Sequence, residues 1–197
     1  KVSFSSCSAN LFISFFLITC TVQYSFGSAR LDGIPVTQIK LSMSNVFLIK
    51  SKKPILIDAG YPGDLAKLNA ALEKEGVPLK KLALVILTHG HSDHAGLAKE
   101  IRDVSKAKII GGKGDLEMFK EGHHPDLRPT SLMARIVRLF VNPNYPAFEP
   151  DIVIESTPFD LTPYGIAGQV MALPGHTPGA LIVALNVKRF FVGDMIL

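Results

Sequence analysis

The sequence has no tryptophan and only two cysteines, Cys7 and Cys20, in 197 residues. Both cysteines fall within the first twenty positions, so the rest of the chain can neither close a disulfide nor offer a thiolate to a metal. Charge is sparse as well. Asp, Glu, Lys and Arg make up 19% of the chain, with 21 basic against 17 acidic residues and a net charge of +4. Together with a hydrophobic content of 47%, this excludes an extended disordered polymer and suits one globular domain with a real core. The basic residues are scattered in pairs such as Lys52-Lys53, Lys80-Lys81 and Lys188-Arg189. No basic run alternates with aromatic residues, so a nucleic-acid partner is not expected. No apolar run reaches the roughly 20 residues that a membrane-spanning helix requires.

The first thirty residues differ from the rest. Lys1 is followed by polar residues, then by the apolar stretch LFISFFLITCTV over 11–22, then by small residues at Gly27 and Ala29. This order fits a secretory signal peptide over 1–29, cleaved after Ala29, and places the product outside the cytoplasm, secreted or periplasmic. Two variants use the same residues: a lipid anchor at Cys20, with Thr19 a poor neighbour for it, and a retained membrane-associated helix. The absence of an initial methionine suggests a chain already trimmed or partial. Residues 30–197 are then read as a single domain.

Within that domain, short strands are expected at IPVTQIKLS, NVFLIKS, PILIDAG, LALVILTH, AKIIGG, DIVIES, GQVMALPG, GALIVALN and RFFVGDMI. The near-continuous apolar character of LALVILTH is that of a strand buried on both faces. Helices are expected over 62–75, with Leu65, Leu68 and Leu72 on one face and Gly76 as the stop, and over 94–104, with Leu97, Ile101 and Val104 on one stripe. A short helix is expected at KGDLEMFKEG. An amphipathic helix over 131–140, capped by Thr130, sets Arg135 and Arg138 opposite Leu132, Ile136 and Leu139; a flap over a substrate is its sharper alternative. Strands followed by strands mixed with helices indicate one layered α/β domain.

Half of the six histidines lie in THGHSDHAG, directly after an apolar run. His89 and His91 are two apart, so in extended backbone they point to one side, and Gly90 lets the chain turn closely around an ion. Asp93 and His94 are adjacent and are expected to face different ways, serving a second ion or a helix cap. Zinc favours imidazole and carboxylate ligands, usually four of them. His176, in PGHTPG, can complete a first ion on His89 and His91. Asp194, in FFVGD, has two oxygens and can bridge two ions. Asp58, in LIDAG, reads as a hydrogen-bond acceptor behind the ligands or a turn former. His123-His124, in a polar loop, reads as an exposed pair. All of these residues except His123-His124 sit where an apolar strand ends, where loops can converge on a rigid base.

Taken in order, LIDAG, THGHSDHAG, PGHTPG and VGD resemble the metallo-β-lactamase fold superfamily, from about residue 33 to the end. The resemblance implies a four-layer αββα sandwich with metals at the sheet edge. It implies a first ion on His89, His91 and His176, a second on Asp93 and His94, and Asp194 bridging. It further implies a metal-bridging hydroxide as nucleophile, oriented by Asp93, that cleaves an ester, thioester, lactone or amide bond of a small molecule. Two zinc ions are the expected cofactors, with iron or manganese equally suited to a His/Asp set. The aspartate of VGD resembles the glyoxalase II and lactonase branch, while β-lactam hydrolysis is a second reading. The family supplies one more histidine to the second ion from further along, and no histidine follows His176. The chain is therefore expected to be truncated at its C-terminal side, with a non-catalytic metal-binding remnant as the rival to an enzyme.

Overall fold

The computed structural model describes residues 29–31, 34–125, 141–186 and 189–194. The expected leader, apart from the backbone of Ala29, and the expected helix over 131–140 lie outside these residues. Among the described residues, eleven strands form two sheets. The first sheet is ordered β1 (Ala29–Leu31), β2 (Ile34–Lys40), β3 (Asn45–Ile49), β4 (Ile55–Ile57), β5 (Leu84–Ile86), β6 (Lys108–Gly112) and β7 (Ile152–Ile154). Its first four strands are antiparallel, and β4 through β7 run parallel. The second sheet is antiparallel, ordered β11 (Arg189–Phe191), β10 (Leu181–Leu185), β9 (Gly168–Ala172) and β8 (Phe159–Asp160).

The two cores follow from the period-two alternation of the short central strands. Ile55, Ile57, Leu84 and Ile86 point into a cluster with Val170, Leu181, Val183 and Leu185 of the second sheet and with Leu161, which follows β8. Leu56 and Val85, the alternate residues, point into the other cluster, under the helices. That cluster takes Leu68 and Leu72 from α1 (Leu65–Lys74), Ala98 and Ile101 from α3 (Ala98–Ser105), and Phe119 from α4 (Leu116–Glu121). Each fully buried aliphatic side chain stabilises such a core by about 1.5–3 kcal/mol. Among the described residues the layers are helices, first sheet and second sheet, the arrangement of the expected sandwich with three of its four layers present.

Two expectations need correction. The helix read over 94–104 is two helices, α2 (Ser92–Ala95) and α3, with Gly96 and Leu97 between them. The backbone oxygen of His94 accepts from the N–H of Ala59, so it is taken from the helical ladder. Gly96 also packs so closely on Gly60 and Pro62 that a Cβ would lie 2.4 Å from Pro62 Cδ. Val104, placed on the buried stripe with Leu97 and Ile101, is 53% exposed in the last turn of α3, while Ile101 three residues earlier is fully buried. The helix read over 62–75 begins at Leu65 and ends at Lys74, with Gly76 following at φ +74°.

Candidate metal centre

The polar residues gather where β4, β5, the β9–β10 loop and β11 end. The N–H of Leu181 donates to the oxygen of Thr88 at 2.7 Å, which ties the start of β10 to the chain leaving β5. The loop carrying His176 is thereby brought beside His89. The turn after β11 is equally close: a Cβ on Gly193 would lie 2.6 Å from Thr88 Oγ1. That approach delivers Asp194 to the same point.

His89, His91 and His176 present ring nitrogens that all lie within 4.8 Å of one another. Their ring centroids are 4.7–4.8 Å apart and the rings stand nearly perpendicular in each pair. His176 Nε2 is 3.1 Å from His91 Nδ1; two imidazole nitrogens on one tetrahedral zinc stand about 3.3 Å apart. His94 faces the acidic side: its Nε2 is 3.5 Å from Asp93 Oδ2 and 3.4 Å from Asp194 Oδ1. The second oxygen of Asp194 is 4.0 Å from His176 Nε2, so its two oxygens face the two histidine groups. His89, His94 and Asp194 also form a set within 4.8 Å. Asp93 and His94, expected to face different ways, both lie in α2 and bring Asp93 Oδ2 to 3.5 Å from His94 Nε2.

The surroundings suit a cation. His89 is 2% exposed, and its Nε2 has no hydrogen-bond partner among the described residues. Its Nδ1 lies 3.1 Å from Thr88 Oγ1. A buried polar atom without a partner is costly unless something coordinates it, and the His89 ring stands against those of His91, His94 and His176. Burial, with further repulsion from His94 and the other histidines, holds the His89 pKa well below the ordinary imidazole value. Burial and His176 likewise bring His91 down to about 4. Both rings are therefore neutral near pH 7, the form that binds metal.

His94 is controlled differently. Asp58 Oδ2 lies 2.9 Å from His94 Nδ1, while Asp58 Oδ1 accepts from the N–H of Thr88 at 2.8 Å. Asp58 thus stands behind the ring as an acceptor and orients Nε2 toward Asp93 and Asp194. It adopts φ +61° to do so, a left-handed backbone that non-glycine residues rarely take. Burial would lower the His94 pKa, but Asp58, Asp93 and Asp194 outweigh it and hold the value well above the ordinary one. Burial would raise the carboxyls of Asp93 and Asp194, and His94 outweighs it and lowers both.

Sequence reasoning also misjudged His124, and it missed Asp115 and Tyr145. His124, read as exposed, is 4% exposed, and its ring centroid lies 4.9 Å from that of His91. The αL residue Gly122 turns the chain inward there, and β-bridge pairing of His123 with Asn144 holds it. Asp115 and Tyr145 were not singled out. Asp115 is fully buried and accepts from Gly90 N, Thr177 Oγ1 and Gly179 N. The hydroxyl of Tyr145 donates to the oxygen of Gly90 at 2.8 Å. Their partners are backbone groups and a hydroxyl from distant loops, which leave no pattern in the sequence.

A two-sheet sandwich that collects histidines and aspartates at one edge of its strands is the architecture of metallo-hydrolases. The chain belongs to the metallo-beta-lactamase superfamily, whose profile matches residues 39–197. It is 30% identical over 168 residues to hydroxyacylglutathione hydrolase GloC of Haemophilus influenzae, covering 85% of this chain and 72% of that protein. It is 30% identical over 171 residues to the probable metallo-hydrolase YflN of Bacillus subtilis, covering 81% of this chain and 63% of that one. Among solved structures, BJP-1, a subclass B3 metallo-beta-lactamase of Bradyrhizobium japonicum, superposes with a TM-score of 0.64 at 22% identity. That match covers 81% of this chain and 58% of BJP-1, and at such identity the likeness is one of fold. No helix among the described residues is long and apolar enough to cross a membrane.

Proposed function

We propose that the protein is a hydrolase that uses divalent metal ions, zinc foremost, to cleave an ester, thioester, lactone or amide bond in a small molecule. The observation that carries this reading is His89, whose buried Nε2 has no hydrogen-bond partner among the described residues and whose ring offers a nitrogen within 4.8 Å of nitrogens of both His91 and His176. His89, His91 and His176 would hold one ion, and Asp93 and His94 a second, with Asp194 between them. Metal ions bound there supply Lewis acidity toward a carbonyl oxygen and make water acidic enough to attack near neutral pH. Asp58 orients His94. Asp93, kept anionic beside His94, would orient the attacking water with the carboxylate oxygen not given to the ion. Burial of His89, His91 and His94 excludes bulk water from the ligand side.

The 30% identity to a protein named hydroxyacylglutathione hydrolase favours a thioester, and β-lactam cleavage is the second reading, supported by fold likeness alone. Metal analysis of the full-length protein, paired with hydrolysis assays on a thioester, a lactone and a β-lactam, tests the proposal. The expected result is at least one metal per chain and metal-dependent cleavage, fastest on the thioester. Substoichiometric metal with no cleavage of any of the three would leave the non-catalytic alternative in its place. Residues 1–29 acting as a cleaved leader belongs to the same proposal, and N-terminal sequencing of the exported protein checks it.

A further inference from the structure

We propose that Asp115, which is none of the ligands, is the positioning residue that holds the His89–His91 segment and the His176 loop at the spacing one ion requires. The inference rests on the metal-hydrolase reading above and adds to it a residue that no ligand pattern marks. Asp115 closes the 3-10 turn Lys113–Asp115 that follows β6 and is 0% exposed. Its Oδ2 accepts from the N–H of Gly90 and from Thr177 Oγ1, each at 2.8 Å, and its Oδ1 accepts from the N–H of Gly179 at 2.8 Å. Gly90 lies between His89 and His91, and Thr177 follows His176. One carboxylate therefore bonds to an immediate neighbour of each of the three imidazoles, bridging 25 residues in one direction and 62 in the other.

The seam is built around this group. A Cβ on Gly179 would lie 2.4 Å from the backbone nitrogen of Asp115, and one on Gly114 would lie 2.4 Å from the carbonyl carbon of Pro178. The turn and the loop thus meet backbone to backbone, with the carboxylate between them. Gly90 is held on its other side as well, because Tyr145 Oη donates to its carbonyl oxygen at 2.8 Å. Among the described residues the hydrogen-bond partners of Asp115 are neutral N–H and O–H donors. A buried carboxylate is costly where an apolar contact would join two loops as well. It does better only where several donors must be fixed at once, since bonds to an ionised acceptor are shorter and stronger. Unlike Asp58, which acts on a ring nitrogen, Asp115 acts through backbone. Its expected effect is on the distance between ligands.

The test is cobalt(II) titration of chelator-treated full-length protein, read by visible absorption and by competition with zinc, on Asp115→Asn, Thr177→Val and Phe119→Leu. Asparagine preserves volume but turns an N–H toward donors that now meet an oxygen. Valine removes only the Thr177 arm. Phe119→Leu perturbs α4, whose Phe119 ring packs on Phe148, without touching the hydrogen bonds of Asp115. Outer-shell substitutions at metal sites weaken binding by roughly 10–100-fold, and that loss, with a changed cobalt band, is expected for Asp115→Asn. Thr177→Val should lose less in the same sense, and Phe119→Leu should lose thermal stability without losing affinity. Wild-type affinity and spectrum in both Asp115→Asn and Thr177→Val would overturn the inference and leave the metal reading standing. Equal loss in Phe119→Leu would overturn it too, showing only general destabilisation. Wild-type protein that binds no cobalt overturns both readings, and should Asp115→Asn not fold, Thr177→Val decides.

Discussion

At the scale of single residues, the histidines of the cluster differ in what burial and neighbours do to their protons. In metal-free protein, His91 titrates at about 4 in the fold and His89 well below the ordinary value, while both take up protons near 6.5 when unfolded. Below pH 6.5 the unfolded chain binds more protons, so stability falls as pH drops from 6.5 through 4. His94, raised by its three carboxylates, has the opposite sign. Its contribution is complete below 6.5 and is lost as pH climbs through the raised value. The histidine contribution to stability of the metal-free protein therefore peaks near pH 6.5, and denaturant midpoints measured from pH 4.5 to 9 check this; a rise between 6.5 and 4.5 would contradict it. A second expectation separates the histidine pairs. His91→Ala should abolish metal-dependent hydrolysis, and His123→Ala, whose Nδ1 pairs with Asn144 Oδ1 at 2.9 Å, should leave it largely intact. Comparable losses in kcat/KM would mean that the His123–His124 pair is misassigned and belongs to the site.

At the scale of elements, the site depends on strand ends that approach without side chains between them. The end of β6 touches the His176 loop so closely that a Cβ on Gly112 would lie 1.8 Å from the oxygen of Gly179. Gly112→Ala must push the loop away. Overpacking of this kind costs about 1–3 kcal/mol and sometimes more, and here it should also lower metal occupancy, because His176 moves with its loop. Equilibrium unfolding and metal content of the purified variant measure both, and unchanged metal content would show that the loop is held by other contacts. The strands themselves could be read from the chain: eight of the nine expected segments fall on β2 to β7, β9 and β10, and the ninth on β11. The helices could be read less well. Periodicity shows where apolar residues recur, but Ala59 claiming the oxygen of His94 is a contact across 35 positions, and it is what breaks the helix over 94–104.

At the scale of the whole molecule, the first sheet is buried on both faces, and this holds the strand ends still beneath the site. Ile86, fully buried between the sheets and two residues before Thr88, couples the core to the centre. Ile86→Ala should cost about 2–5 kcal/mol, seen as a lowered denaturant midpoint at pH 7, and added zinc should recover part of the loss, because a ligand of the folded state stabilises it by mass action. A loss under 0.5 kcal/mol would mean that the sheets repack around the cavity.

Composition and local spacing were enough for the class of chain and for nine of the eleven strands among the described residues, and they singled out His89, His91, Asp93, His94, His176, Asp194 and Asp58 as candidates, because ligand chemistry restricts residue type and strand ends restrict position. What they could not carry was distance between segments. That Asp58 stands behind His94, that His124 turns inward against His91, and that a buried Asp115 joins loops 25 and 62 positions away from it all follow from sheets and helices packing on one another. Such packing brings together residues whose separation along the chain bears no relation to their separation in space.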